Sequence, residues 1–244
     1  MNSPLREAAA RYKPWPNLYF YAMGKIALDP AYPAVVSLLR DSQRPLLDLG
    51  CGVGLLAAYL RANGHRAPIL GFDVDEEKIG VAQRVLSGVR YRFHAEDAMN
   101  FPAHCGDVVM LDVLHYFSDQ DQQRLLRKIA ASIAPRGIAL IRLALNESTW
   151  RFVATKLEEW LVGVSRWIPN CGWNFPTRDE VFLPFNRERF AGDVRPMWGV
   201  TPFNSYLFTF RRRIAEADRS AGGQKNLSGS VLAEYSGGKG ESLP

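Results

Sequence analysis

Cysteine is scarce in this 244-residue chain: Cys51, Cys105 and Cys171 are odd in number, lie far apart and show no metal-ligand spacing. That argues against a disulfide framework and fits reduced thiols in a cytoplasmic setting. Long apolar runs are missing too, so no segment reads as a bilayer span. The opening "MNSPLREAAARYKPWP" carries charges and prolines where a secretory signal needs an apolar stretch. Compact charge clusters are equally rare. The net charge is +5 and the pI about 9.2, yet the basic residues are scattered and "RRR" at 211–213 is the one tight group. No basic stripe with interleaved aromatics can be assembled, which excludes a nucleic-acid surface of that kind. No clustered set of carboxylates and histidines is present, so no metal is expected.

What the chain does have is enough apolar residue, 47% against 23% charged, to bury one core. Residues 1–43 mix aromatics and prolines and read as an irregular or helical lead-in. From there apolar runs at 45–49, 68–72, 89–97, 107–112 and 138–145 alternate with helical patterns at 54–63, 75–86 and 118–134. Five alternations with short connections predict a doubly wound α/β fold with a parallel sheet, because parallel neighbours need crossover connections. After Asn146 the rhythm changes to a long aromatic helix pattern at 148–168, then strands at 193–198 and 205–213. The expected organisation is a lead-in over 1–43, a main α/β domain over 44–213 with an insertion at 148–192, and a Gly- and Ser-rich disordered tail over 214–244.

The chemistry concentrates at "LLDLGCGVGLLAAYL", residues 46–60. Gly50, Gly52 and Gly54 let the backbone turn sharply and approach a ligand closely. A dinucleotide loop carries its last glycine one position later, where Leu55 stands here. Asp48, just before the loop, suits an ammonium group or a turn cap and would repel a phosphate. Asp73 closes the second strand, where an acid can accept from both hydroxyls of a ribose or cap the following helix. Asp97, after the third strand, can accept from the exocyclic amine of an adenine, with Ala98 offering a backbone N–H, or be a plain loop aspartate.

In order, "LLDLGCGVG", "ILGFDVD", "HAEDAMNFP", "GDVVMLDVLHYF" and "IAPRGIALI" resemble the motif set of class I S-adenosylmethionine-dependent methyltransferases over residues 44–145. The resemblance implies a Rossmann-like, seven-stranded sheet whose last strand is antiparallel. It also implies that Asp48 and the glycines hold the methionine half of S-adenosyl-L-methionine, Asp73 the ribose, and Asp97 with Ala98 the adenine. Asp112 would lie near the same cofactor.

On that reading the chain methylates a small, largely apolar or aromatic molecule at oxygen. The alternatives are a catalytically silent cofactor-binding scaffold or regulator and, disfavoured by Leu55 and Asp48, a nicotinamide-dependent reductase. His115, just past the fourth strand, is the candidate base, with a helix-start or packing role as its alternative. Tyr19, Phe20 and Tyr21, together with Trp150, Phe152, Trp160 and Trp167, supply an aromatic cover or simply core. Lys25 either attracts an acidic acceptor or solvates a helix end, and the second is the expectation. "YFYAMGKIALDP" at 19–30 and "MWGVTPFNSYLF" at 197–208 resemble a subgroup of bacterial methyltransferases associated with aryl polyene or fatty-acid-like pathways. That resemblance implies an aromatic or acyl-linked acceptor bordered by Tyr19, Tyr21, Trp198, Thr201, Phe203 and Asn204. The bland reading of the last four is a strand-to-strand turn.

Overall fold

The buried apolar runs pair as expected. In a computed structural model that describes residues 3–147, 174–198 and 204–213, β1 (Leu46–Leu49), β2 (Ile69–Asp73), β3 (Tyr91–Ala95), β4 (Asp107–Leu111) and β5 (Ile138–Ala144) run parallel. β7 (Ser205–Arg212) adds antiparallel to β5, and β6 (Phe190–Pro196) adds antiparallel to β7, giving the order β3-β2-β1-β4-β5-β7-β6. This is the seven-stranded α/β sheet that the motif order implied. β6 starts three residues earlier than its sequence pattern suggests, because pairing from Phe190 opposite Arg212 extends it through an exposed stretch with no apolar run of its own.

The helices that cover the sheet are α4 (Leu55–Ala62), α5 (Glu76–Val85), α6 (Asp119–Ser132) and the short α7 (Arg178–Phe182). Period-2 alternation divides each strand between two apolar layers. Leu46, Val109 and Leu140 pack with Leu56, Ala82 and Leu39 on one face; Leu47, Met110 and Ile141 pack with Leu125, Leu126 and Ile129 on the other. α6 starts at a Ser118 cap, whose hydroxyl accepts from the Asp121 N–H at 3.2 Å, and carries Asp119 and Asp121 in its first turn, where the helix dipole favours acids.

The lead-in is helical and ordered: α1 (Pro4–Ala10), α2 (Pro16–Leu28) and α3 (Ala31–Leu39). Pro16 begins α2, where its missing N–H costs no helical bond. Between α1 and α2, Tyr12 is fully buried and its hydroxyl donates to the Val53 carbonyl at 3.0 Å, while Arg11 donates to the Val85 carbonyl at 3.3 Å. These long-range bonds fasten the lead-in to the glycine loop through Tyr12 and to the end of α5 through Arg11. The aromatic pattern at 148–168, with Trp150, Phe152, Trp160 and Trp167, lies outside the described residues, as do Cys171, Thr201, Phe203 and the segment 214–244. Cys51 is a buried and Cys105 an exposed free thiol. Among the described residues no helix is long and apolar enough to cross a membrane.

Candidate active site

At the carboxyl edge of β1, β2 and β4 the chain encloses a cavity of about 550 Å³. Ligands collect at this edge in open α/β sheets because the strand order reverses there and neighbouring connections diverge. β1 and β2 leave Asp48 and Asp73 at the cavity, and Gly50 and Gly52 bridge between them.

The loop geometry explains the glycines. Gly50 has φ +74°, and a Cβ there would stand 2.1 Å from Val113 Cγ2, so backbone strain and steric overlap both demand glycine. The Gly52 N–H donates to Asp73 Oδ2 at 2.9 Å, and Asp73 Oδ1 accepts from the Asp75 N–H at 3.0 Å. Each carboxylate oxygen has accepting capacity beyond that bond, and Asp73 lines the cavity. The cap of α5 is Asp75, whose side chain accepts from the Lys78 N–H, so Asp73 is released from that role. Gly54 is not among the cavity-lining residues. With φ +76° it starts α4, and a Cβ there would come within 3.1 Å of Ala82 on α5, so it permits close packing of helix against helix.

Asp48 is 3% exposed and its Oδ2 has no hydrogen-bond partner among the described residues. Burial, and secondarily the Asp73 charge, pushes its carboxyl up to about 7. An orphaned buried carboxylate facing a cavity is a ready site for a cationic group. Asp97 and Ala98 line the same cavity; Asp97 also caps a 3₁₀ turn, Ala98–Asn100, through the Met99 N–H at 2.7 Å. Asp112 completes this rim, held at φ +58°, a conformation that costs energy for a side chain other than glycine.

Facing the loop, α2 forms the opposite wall. Leu18, Tyr21, Lys25 and Asp29 follow one helical face onto the cavity, and an ion chain runs through them. Lys25 Nζ pairs with Asp29 Oδ2 at 2.9 Å. Arg142, buried in β5, donates through Nη1 to Asp29 and through Nε (2.8 Å) and Nη2 to Asp112. Burial alone would raise Asp29, but the Arg142 charge and hydrogen bond, with Lys25 behind them, hold it at about 2. Burial would lower Lys25, but Asp112 and Asp29 carry it above its ordinary value. Lys25 is therefore a paired cavity residue and not the solvated helix end that the sequence suggested. Asp29 and Arg142 were not anticipated at all. The available signal was one arginine inside the otherwise apolar strand "IALIRLA".

Several expected site residues lie off the cavity. His115 is 2% exposed, stacked on Phe175 at 5.3 Å, and held down to about 4 by burial, which the Asp112 charge only partly offsets. Tyr19 packs edge-on against Phe20 and onto the apolar layer beneath α2. Trp198 is half exposed beside Tyr206. Asn204 is fully buried, and its amide donates to the Leu145 carbonyl at 3.1 Å and to Glu147 at 3.3 Å, which ties the start of β7 to the end of β5. Of the six acceptor-side residues named from sequence, Tyr21 lines the cavity, Tyr19, Trp198 and Asn204 do not, and Thr201 and Phe203 lie outside the described residues.

Residues 46–137 match the model of a family described as methyltransferase domain. A Synechococcus protein with no assigned role is 33% identical over 100 residues, 38% of this chain; the chain spans about a quarter of the length of that curated relative. The fold is similar to that of magnesium protoporphyrin IX methyltransferase from Synechocystis PCC 6803 with bound SAH (TM-score 0.57, 21% identity, 75% of this chain and 82% of that one). It is also similar to the N-methyltransferase NodS from Bradyrhizobium japonicum (TM-score 0.54, 19% identity, 75% and 95%). A third similar structure is a SAM-bound amino pentose methyltransferase from Micromonospora echinaspora (TM-score 0.55, 16% identity, 75% and 90%).

Proposed function

We propose that this chain, which carries a methyltransferase domain at residues 46–137, transfers a methyl group from S-adenosyl-L-methionine to a small, largely apolar acceptor, aromatic or acyl-linked, at oxygen. The supporting observation is the convergence of Asp48, Asp73 and Asp97 on one cavity around a glycine loop, with Asp48 Oδ2 buried and without a hydrogen-bond partner among the described residues. Asp48 suits the ammonium of the methionine end, Asp73 the ribose hydroxyls, and Asp97 with the Ala98 N–H the adenine. S-adenosyl-L-methionine, when bound, supplies an electrophilic methyl carbon on a sulfonium. The protein's part is then to hold an acceptor oxygen in line with that carbon and to exclude water, which can be worth ~7–11 kcal/mol by alignment alone. Leu111, Val113, Tyr116 and Phe117 give the acceptor a largely apolar wall. His115 is assigned packing rather than proton abstraction, because it is stacked on Phe175 off the cavity and burial weakens it as a base.

Calorimetry with S-adenosylhomocysteine (SAH) and with NAD tests the cofactor, and a radiolabelled methyl screen over phenols, hydroxy acids and acyl thioesters tests the acceptor. Binding of SAH together with label transfer to an oxygen is expected. Binding of NAD without SAH would overturn the reading, and SAH binding with no transfer to any class would favour a silent scaffold.

A further inference from the structure

We propose that the protein carries a second binding site, for the phosphate group of a small organic phosphate, at the sheet edge opposite the cavity of Asp48 and Asp73. β2 and β3 run parallel, so their amino ends share that edge, where the end of α4, the turn into β2 and residues 87–90 before β3 form an open hollow of about 490 Å³. Arg61, Arg66 and Arg90 line it. No acidic side chain among the described residues lines the hollow or pairs with any of the three.

Backbone carbonyls, not acids, gather these arginines. Arg90 Nη1 donates to the Arg66 carbonyl at 3.0 Å, and Arg66 Nη1 donates to the His65 carbonyl at 3.3 Å and lies 3.5 Å from the Arg61 carbonyl. Arg61 sits in the last turn of α4, where a cation suits the helix dipole. Capping of this kind uses one nitrogen of Arg66 and one of Arg90, whereas each guanidinium has five N–H donors. Most of the donors are left over. Three like charges held together without an acid repel one another, and a bound anion relieves that repulsion.

Charge count selects the anion. A carboxylate brings one charge and two oxygens, enough for one guanidinium fork, while a phosphate monoester brings nearly two charges and three acceptor oxygens, enough to engage all three arginines. Ser87 adds a hydroxyl, and Val89 and Tyr91 add apolar surface beside the cations, so the hollow has room for an organic body as well as the phosphate. Because the arginines converge on one hollow rather than spreading over a face, the ligand is a soluble ester rather than a lipid surface.

The full chain is titrated calorimetrically with inorganic phosphate, glycerol 3-phosphate and acetate, as wild type, Arg61→Gln, Arg90→Gln and Arg187→Gln, the last a charge-matched control at an exposed residue before β6. Arg61→Gln removes no side-chain hydrogen bond among the described residues, so it decides the matter should Arg90→Gln fail to fold. Expected are binding of both phosphates, acetate weaker by ~10-fold or more, a ~10-fold or larger loss in Arg61→Gln and in Arg90→Gln, and no change in Arg187→Gln. No phosphate binding by the wild type up to ~10 mM, or an equal loss in Arg187→Gln, overturns the site. Adsorption to phosphatidic acid vesicles without binding of glycerol 3-phosphate overturns it too, by making the arginines part of a membrane-facing surface. The hollow and the cavity share no residue, so a wild type that binds SAH but no phosphate refutes this site alone, and one that binds phosphate but no SAH refutes the proposed function alone.

Discussion

Replacing Asp48 by Asn isolates the electrostatic cost of burying this carboxylate at the cavity. The wild-type carboxyl titrates near 7 in the fold against 3.8 ordinarily, so between those values the folded protein holds a proton that the unfolded chain has lost. Stability from this group falls as pH rises across that window. At 1.36 kcal/mol per decade the full displacement is about 4 kcal/mol, and roughly 2–3 kcal/mol of it develops between pH 5 and pH 8. For a domain of this size that is about 5–10 °C in Tm. Thermal unfolding of the ligand-free wild type and Asp48→Asn at pH 5, 6, 7 and 8 measures it, because every other titrating group is common to both and cancels in the difference. The gap in Tm, variant minus wild type, is expected to widen toward pH 8. SAH should close it by giving wild-type Asp48 a cationic partner while binding the variant poorly. A gap that stays constant with pH would refute the buried-carboxylate argument.

The other expectations concern single contacts. Gly50→Ala forces a strained φ and a collision with Val113, and should cost about 2–4 kcal/mol in chemical denaturation and abolish SAH binding. Asp29→Ala leaves Asp112 as the acid facing both Arg142 and Lys25, so one positive charge of the chain is unbalanced, and should cost about 3 kcal/mol at neutral pH. Because Asp29 is held at about 2, the wild type loses that contribution as pH falls from about 4 toward 2, so the denaturation midpoints of wild type and variant should converge on acidification. His115→Phe should leave turnover within about fivefold and the pH profile unaltered above pH 6; a loss of ~10²-fold or more would restore His115 as the base.

The parallel core and the glycine loop were legible in the sequence because both are encoded locally. Alternating apolar runs and helical patterns specify crossover units, and Asp48, Gly50, Gly52, Asp73, Asp97 and Asp112 sit at strand ends whose order places them on one edge. The ion chain was not legible. Asp29 and Arg142 stand 113 residues apart and meet only when α2 packs over the sheet edge, so no spacing rule connects them. The same limit explains the residues that changed role. Gly54 lies against α5, His115 turns into an aromatic stack with Phe175, and Asn204 anchors β7 to β5, all through long-range packing. Short-range periodicity thus determined the alternating strands and helices of a parallel sheet and the strand ends that carry the acids, while the strand order belongs to the tertiary structure. Tertiary packing alone decided which side chains reach the cavity, because a side chain's direction depends on what its element is pressed against.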